Sequence, residues 1–118
     1  MHYRIFHLCE QMSENLEHDW TLEEMAEMLN ISKSYLVKLF KAETGMSAVA
    51  WLRNERLEKA RELLEESWEQ VSQIGLNVGM PNDSHFTRDF KKKYGTTPTN
   101  YRKQYNEMLQ AGADFGKK

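Results

Sequence analysis

A chain of 118 residues and 14.0 kDa, 40% hydrophobic and 29% charged, carries enough apolar material for one compact domain, or for two very small ones sharing an element. It has no run of 18 apolar residues to span a membrane, and its start, MHYRIFHLCEQM, turns acidic without a small-residue cleavage site, so neither a membrane span nor a signal peptide is expected. The net charge of −2 would argue against a polyanion partner, but residues 1–31 hold one Arg against seven acids, residues 32–46 three Lys against one Glu, and residues 83–105 six basic residues against two acids. A polyanion responds to the local patch and not to the sum.

Residues 3–16 place Ile5, Leu8, Cys9, Met12 and Leu16 at helical spacing, which predicts an amphipathic helix broken at Asp19-Trp20. Within that stripe Cys9 is expected to be a buried core thiol, and a single cysteine fits a reducing, cytoplasmic compartment. Thr21-Leu-Glu-Glu24 has the capping-box form and predicts a short helix over 22–29, with Leu22, Met25, Ala26 and Leu29 inward. Asn30-Ile31 predicts a tight turn, and Ser32 can cap a helix from Lys33 to about Glu43 that Gly45 closes. Residues 21–44 therefore read as helix, turn, helix.

Ser47 opens the longest predicted helix, through about Glu66, with Val49, Leu52, Leu57, Ala60, Leu63 and Leu64 on its apolar face and a length of about 28 Å. Ser67-Trp-Glu-Gln70 reads as a second capping box, after which the plan repeats. Val71, Ile74, Gly75 and Val78 share a face, Gly79-Met80-Pro81-Asn82 turn, and residues 83–94 form a helix closed by Gly95. Thr97-Pro98 opens a last helix to about Tyr105, and the tail 106–118 is expected to fray.

The repetition is visible residue by residue. SYLVKLFKAETGMSA (34–48) superimposes on SHFTRDFKKKYGTTP (84–98), pairing Leu36 with Phe86, Phe40 with Phe90, Lys41 with Lys91 and Gly45 with Gly95. Ala26 pairs with Gly75 at an offset of 49 but Leu36 with Phe86 at 50, so the second turn is one residue longer. The expected organisation is all-α: a first unit at 3–46, a linker helix at 47–66, a second unit at 67–105 and a tail at 106–118.

In the two basic helices the Leu and Phe positions face inward. Lys33, Ser34, Val37, Lys38 and Lys41 face outward in one, and Asp83, Ser84, Thr87, Arg88, Lys91 and Lys92 in the other. Met12, Met25 and Met28 read as core, and Trp20, Trp51 and Trp68 as packing near helix ends. The four histidines lack ligand spacing, and no Gly-rich phosphate loop, nucleophile elbow or acid pair is present. No metal, cofactor or enzymatic activity is expected.

These residues carry a resemblance. Arg56-Leu57…Ala60…Leu63-Leu64, then Gly79, Ser84…Phe86…Phe90-Lys91…Gly95…Pro98…Tyr101-Arg102, within a match from about Leu16 to Tyr105, resembles the signature region of the arabinose-activator (AraC/XylS) family of bacterial transcription regulators. The resemblance implies about seven helices in two helix-turn-helix units bridged by the long helix, each unit's second helix entering the major groove of double-stranded DNA. It implies regulation of transcription, most often activation, and places base-edge contacts on Ser34, Val37 and Lys38 and on Asp83, Ser84, Thr87 and Arg88. The side-chain chemistry fits: Arg88 can bridge guanine O6 and N7, and Val37 or the Thr87 methyl can touch a thymine methyl. Asp83 has two readings, an acceptor for cytosine N4 or a helix cap, and the cap is favoured.

Lys33, Lys41, Lys91, Lys92 and Arg102 suit phosphate, which fixes register without reading sequence. Backbone amides at the starts of the short helices could add to them. The acidic residues 10–27 are expected to face away from DNA, towards an upstream effector or receiver domain or RNA polymerase. The lead-in at 1–16 favours an output domain continuing from something upstream over a complete small regulator. A different class of function, a helical module binding an acidic protein partner, would use the same basic helices. Three features depart from the family pattern: the acidic residues 10–27, Gly75 where alanine is usual, at a cost of about 1 kcal/mol in helix propensity, and Met80 in place of an aromatic, which would loosen the second unit.

Overall fold

The computed structural model describes residues 2–116, with side chains through Gly112. Among them are seven helices: α1 (Tyr3–Glu14), α2 (Leu22–Leu29), α3 (Lys33–Thr44), α4 (Ala48–Glu66), α5 (Val71–Asn77), α6 (Asp83–Tyr94) and α7 (Pro98–Gly116). The chain divides into two compact units at Arg56/Leu57, inside α4. The helix read as a linker is thus shared, its first half belonging to one core and its second half to the other.

The first core joins Ile5, Leu8, Cys9 and Met12 of α1 to Met25, Ala26 and Leu29 of α2, Leu36 and Phe40 of α3, and Ala48 and Leu52 of α4. Burial pushes the Cys9 thiol up to about 11, with the nearby Glu55 charge adding to the shift, so the sulfur stays neutral as expected of a core thiol. The second core is built from Leu57, Ala60 and Leu64 of α4, Ile74 and Val78 around α5, and Phe86 and Phe90 of α6.

The helix ends follow from local chemistry. Ser32 Oγ accepts from Tyr35 N at 3.1 Å and Asn82 Oδ1 accepts from His85 N at 3.0 Å, so equivalent caps start α3 and α6. Gly45 (φ 81) and Gly95 (φ 79) close both helices in the left-handed region. Asp83 is accordingly the first residue of α6 and not its cap, a position where its charge complements the helix dipole.

Other expectations need correction. Thr21 caps α2 by accepting from Glu24 N at 3.1 Å, but the Glu24 carboxylate does not reach back; it meets His18 Nε2 at 2.7 and 2.9 Å. No capping box forms at 67–70. Ser67 Oγ instead donates to Leu63 O at the end of α4, and Gln70 caps α5 without a side-chain bond. α1 stops at Glu14, two residues early, where the Trp20 indole N–H donates to Asn15 O at 2.9 Å.

Val49 and Met28 lie outside their expected core stripes, at 52% and 41% exposed, and Ala48 is buried on α4 in place of Val49. Trp20 and Trp51 pack against the first core, whereas Trp68 is 90% exposed. α7 continues past Tyr105 to Gly116, because no Gly or Pro interrupts it until Gly112; the rest of the expected frayed tail, residues 117–118, lies outside the described residues. Among the described residues no helix is long and apolar enough to cross a membrane.

Candidate nucleic-acid interface

The geometry of the two basic helices follows from their anchors. Leu36 and Phe40 are fully buried and hold α3 by one face; Phe86 and Phe90 do the same for α6, with ring centroids 6.0 Å apart in an edge-to-face pair. Residues three and four apart share a helix face, so fixing those positions turns the complementary stripe outward. On α3 that stripe is Lys33, Ser34, Val37, Lys38 and Lys41, all exposed. On α6, Asp83, Ser84, Arg88, Lys91 and Lys92 are exposed and Thr87 is half-buried. Each of these two helices therefore brings its own predicted contact residues together on one face, whereas Arg102 lies on α7.

The cations on these faces differ in how free they are. Lys33 Nζ sits 2.6 Å from Glu23 Oε1 of α2, a hydrogen bond that holds the Glu23 carboxyl below the usual carboxylate range. Arg88 Nε lies 3.3 Å from Asp89 Oδ1, with the Arg88 side chain two-thirds exposed. Among the described residues Lys38, Lys41, Lys91 and Lys92 make no ion pair and stand open to solvent. Lys41 and Lys91–Lys93 also occupy the last turns of their helices, where a cation complements the dipole irrespective of any ligand.

Arg102, expected at phosphate, has three partners within the fold. Its Nε donates to Leu64 O at 3.1 Å, Nη1 to Glu69 O at 2.6 Å and Nη2 to Ser67 O at 3.2 Å. The guanidinium clamps the chain between α4 and α5, while Ser67 Oγ, the acceptor a capping box would have used, turns back to donate to Leu63 O. Arg56 plays the matching part in the first unit, donating from Nε to Leu16 O at 2.9 Å and from Nη2 to His18 O at 2.8 Å. Sequence reasoning missed this pairing, although both arginines stood inside the recognised motif. The signal available was an arginine on the helix following each helix-turn-helix pair.

A second link in the later unit runs from Arg61 to Glu65 at 2.8 Å and from the Tyr101 hydroxyl to the same carboxylate. Burial, followed by the Glu65 contact, raises the Tyr101 hydroxyl above its ordinary range. The ring of Tyr101 packs edge-on to Phe90 at 5.6 Å, as that of Trp51 does to Phe40 at 6.1 Å. The residue three places into α7 thus supports the α6 anchor as the residue three places into α4 supports the α3 anchor.

Two capped helix-turn-helix units, each presenting a polar, basic face from an aromatic-anchored second helix, define a double helix-turn-helix domain. The comparisons with known proteins place it more narrowly. Residues 25–104 match the family described as a helix-turn-helix domain. Over 101 residues the chain is 32% identical to the HTH-type transcriptional regulator MtrA of Neisseria gonorrhoeae, covering 86% of this chain and 34% of that protein. The C-terminal domain of AraT, a response regulator from Geobacillus stearothermophilus, superimposes with a TM-score of 0.81 at 33% identity over 86% of this chain and 84% of that one. The DNA-binding domain of AdpA, solved in complex with a target DNA, shares the fold at a TM-score of 0.86 and 23% identity, over 89% of this chain and 95% of that one. The chain belongs to the AraC/XylS family of helix-turn-helix regulators. It spans about a third of the length of MtrA and of the arabinose operon regulatory protein of Escherichia coli, at 34% and 38%.

Proposed function

We propose that this chain is the DNA-reading part of a transcription regulator, acting in the cytoplasm on double-stranded DNA by placing α3 and α6 in successive major grooves. The observation that carries this reading is the duplication of one outward polar face on two helices held by equivalent caps, anchors and closing glycines. The major groove returns about every 34 Å, so one duplex offers two readers successive turns to meet. Two unequal readers on one chain would serve an asymmetric site, as two copies of one reader serve a palindrome.

In this reading Ser34, Val37 and Lys38 on α3, and Ser84, Thr87 and Arg88 on α6, meet base edges, with Arg88 suited to guanine. Asp83 stays at the start of α6 near the bases. Lys33, Lys41, Lys91 and Lys92 meet phosphate and set register; Arg102 is left out because its donors are engaged within the fold. The share of its relatives that the chain covers supports an input held elsewhere in a longer regulator, in an effector or receiver domain. The exposed acids of residues 10–27 would then face that domain or RNA polymerase. Reversing their charge should alter activation or interdomain contact while sparing DNA affinity; no change in either would remove that assignment.

The central test is selection of bound sites from a pool of random duplexes. Enrichment of a bipartite site with centres about one helical turn apart is the expected result. Uniform binding to all duplexes, or none, would overturn the reading.

A further inference from the structure

The two units differ at one place where the difference is built into the backbone. In the first, Ile31 N donates to Ala26 O at 3.1 Å, and the very next residue, Ser32, caps α3. In the second, Met80 N donates to Gly75 O at 2.7 Å, but Pro81 intervenes before Asn82 caps α6. The extra residue of the second turn is therefore Pro81, inserted between the backbone anchor and the cap.

The longer turn folds back onto α5. A Cβ at position 75 would lie 2.8 Å from the Met80 carbonyl oxygen and 3.1 Å from Phe86 Cδ2. The first contact is with backbone, which cannot swing aside as a side-chain tip can, and the second is with a ring that is 1% exposed and packed on Phe90. Gly75 is helical and buried, so its missing side chain answers to this approach and not to a left-handed conformation. The propensity lost by placing glycine in a helix is the cost of admitting the Met80 carbonyl and Phe86. Met80 is itself packed against the second core.

We infer that Gly75 and Pro81 form a coupled positioning device that sets where α6 enters its groove, making Gly75 a determinant of sequence preference in the second reader. Phe86 lies two residues beyond Ser84 and two before Arg88, so any shift that clears a Cβ at position 75 moves both proposed base-contact residues. Hydrogen bonds to base edges are directional and lose strength steeply with misalignment. The first unit has no such sensitivity, because Ala26 already carries its Cβ there.

This inference rests on the proposed DNA reading, and the test separates the two. Site selection and thermal melts are run on the wild-type chain, on Gly75→Ala, on Ala26→Gly, and on Gly75→Ala with Pro81 deleted, each well below its own midpoint. A wild type that selects nothing refutes the DNA reading itself. Given a bipartite wild-type site, Gly75→Ala should lower the melting midpoint, keep the preference of the α3 half, and lose or alter that of the α6 half. Its affinity for the wild-type site should fall on the order of tenfold, the equivalent of one spoiled base contact. Ala26→Gly should keep both halves.

Deleting Pro81 restores the first unit's residue count, so the double variant should regain stability yet read a different α6 half from wild type. Should Gly75→Ala select the wild-type site with affinity within about twofold, the inference is overturned. It is equally overturned if the double variant recovers the wild-type α6 half, or if it is no more stable than Gly75→Ala alone.

Discussion

The two units build one scaffold from different chemistry. The first core is largely aliphatic and thioether, with Phe40 as its one fully buried aromatic; the second buries seven residues against the first core's eleven and concentrates its bulk in Phe86 and Phe90, backed by Tyr94 and Tyr101. Residues 1–56 carry six basic side chains against nine acidic ones, and residues 57–118 ten against nine. A caps-and-glycines frame thus leaves core composition and surface charge free to diverge. The caps fix where each reading helix begins, and the aromatic anchors fix which face it shows.

The sharpest way to break this comparison is to remove the anchors. Phe90→Ala should destabilise the second unit by about 3–5 kcal/mol, the range for deleting a buried phenylalanine. Phe90 touches Phe86, Tyr94 and Tyr101, so little can collapse into the space without moving another ring. Phe40→Ala has the flexible Met12 and Met25 in its core, which can fill part of the void, and should cost less. Paired circular dichroism melts decide it: equal losses would mean that the aromatic cluster confers no special rigidity on the second unit.

Next in size are the arginine clamps. Arg102 satisfies three carbonyls and Arg56 two. Hydrogen bonds from a charged donor are worth about 1.5–3 kcal/mol, and removal leaves part-buried carbonyls short of partners. Arg102→Ala should therefore cost about 2–3 kcal/mol, with Arg102→Lys recovering only part, since an ammonium cannot span three acceptors in a fork. The slope of DNA affinity against salt should not change. A flattened slope with an unchanged melt would return Arg102 to the phosphate contacts and dissolve its likeness to Arg56.

The arginine clamps also mark the limit of what was legible in the sequence. Caps such as Ser32, closing glycines such as Gly45 and Gly95, and the 49-to-50 change in offset are local signals, and each located its element within a residue or two. The buried faces of α3 and α6 followed from spacing alone, so the outward stripes did as well. Arg56 and Arg102 act across 33 to 40 residues of chain, and no local pattern distinguishes such a donor from a surface cation. The expected capping box at Ser67 fails for a local reason, because Ser67 Oγ turns back to Leu63 O, and the neighbouring Trp68 is exposed. Gly75 was legible as a departure but not as a close approach, since its contact is with the carbonyl of a turn whose path the sequence did not fix.

Smaller effects test the reading faces themselves. Arg88→Ala should weaken binding by about 1–3 kcal/mol and relax preference at one base pair of the α6 half. Lys91→Ala or Lys92→Ala should instead weaken all sequences alike and reduce the salt slope by about one. If Arg88→Ala behaves like the lysine variants, its pairing with Asp89 persists in the complex and α6 reads through Ser84 and Thr87.

The smallest expected effect lies where the two readers begin. Position 33 is a lysine and its counterpart, position 83, an aspartate. Asp83 suits the positive start of α6, whereas Lys33 opposes the start of α3 and is met by Glu23 from α2. Glu23 titrates below its ordinary range because of that hydrogen bond, so its contribution is complete above the usual carboxylate range and fades as pH falls through the lowered value. Both partners are solvent-exposed and screened, so Glu23→Gln should leave the melt at pH 7 nearly unchanged. Its consequence should appear in binding, because an unpaired Lys33 is available to phosphate, and the salt slope should steepen by up to about one. A slope identical to wild type would take Lys33 out of the phosphate contacts and leave the pair with Glu23 as its whole function.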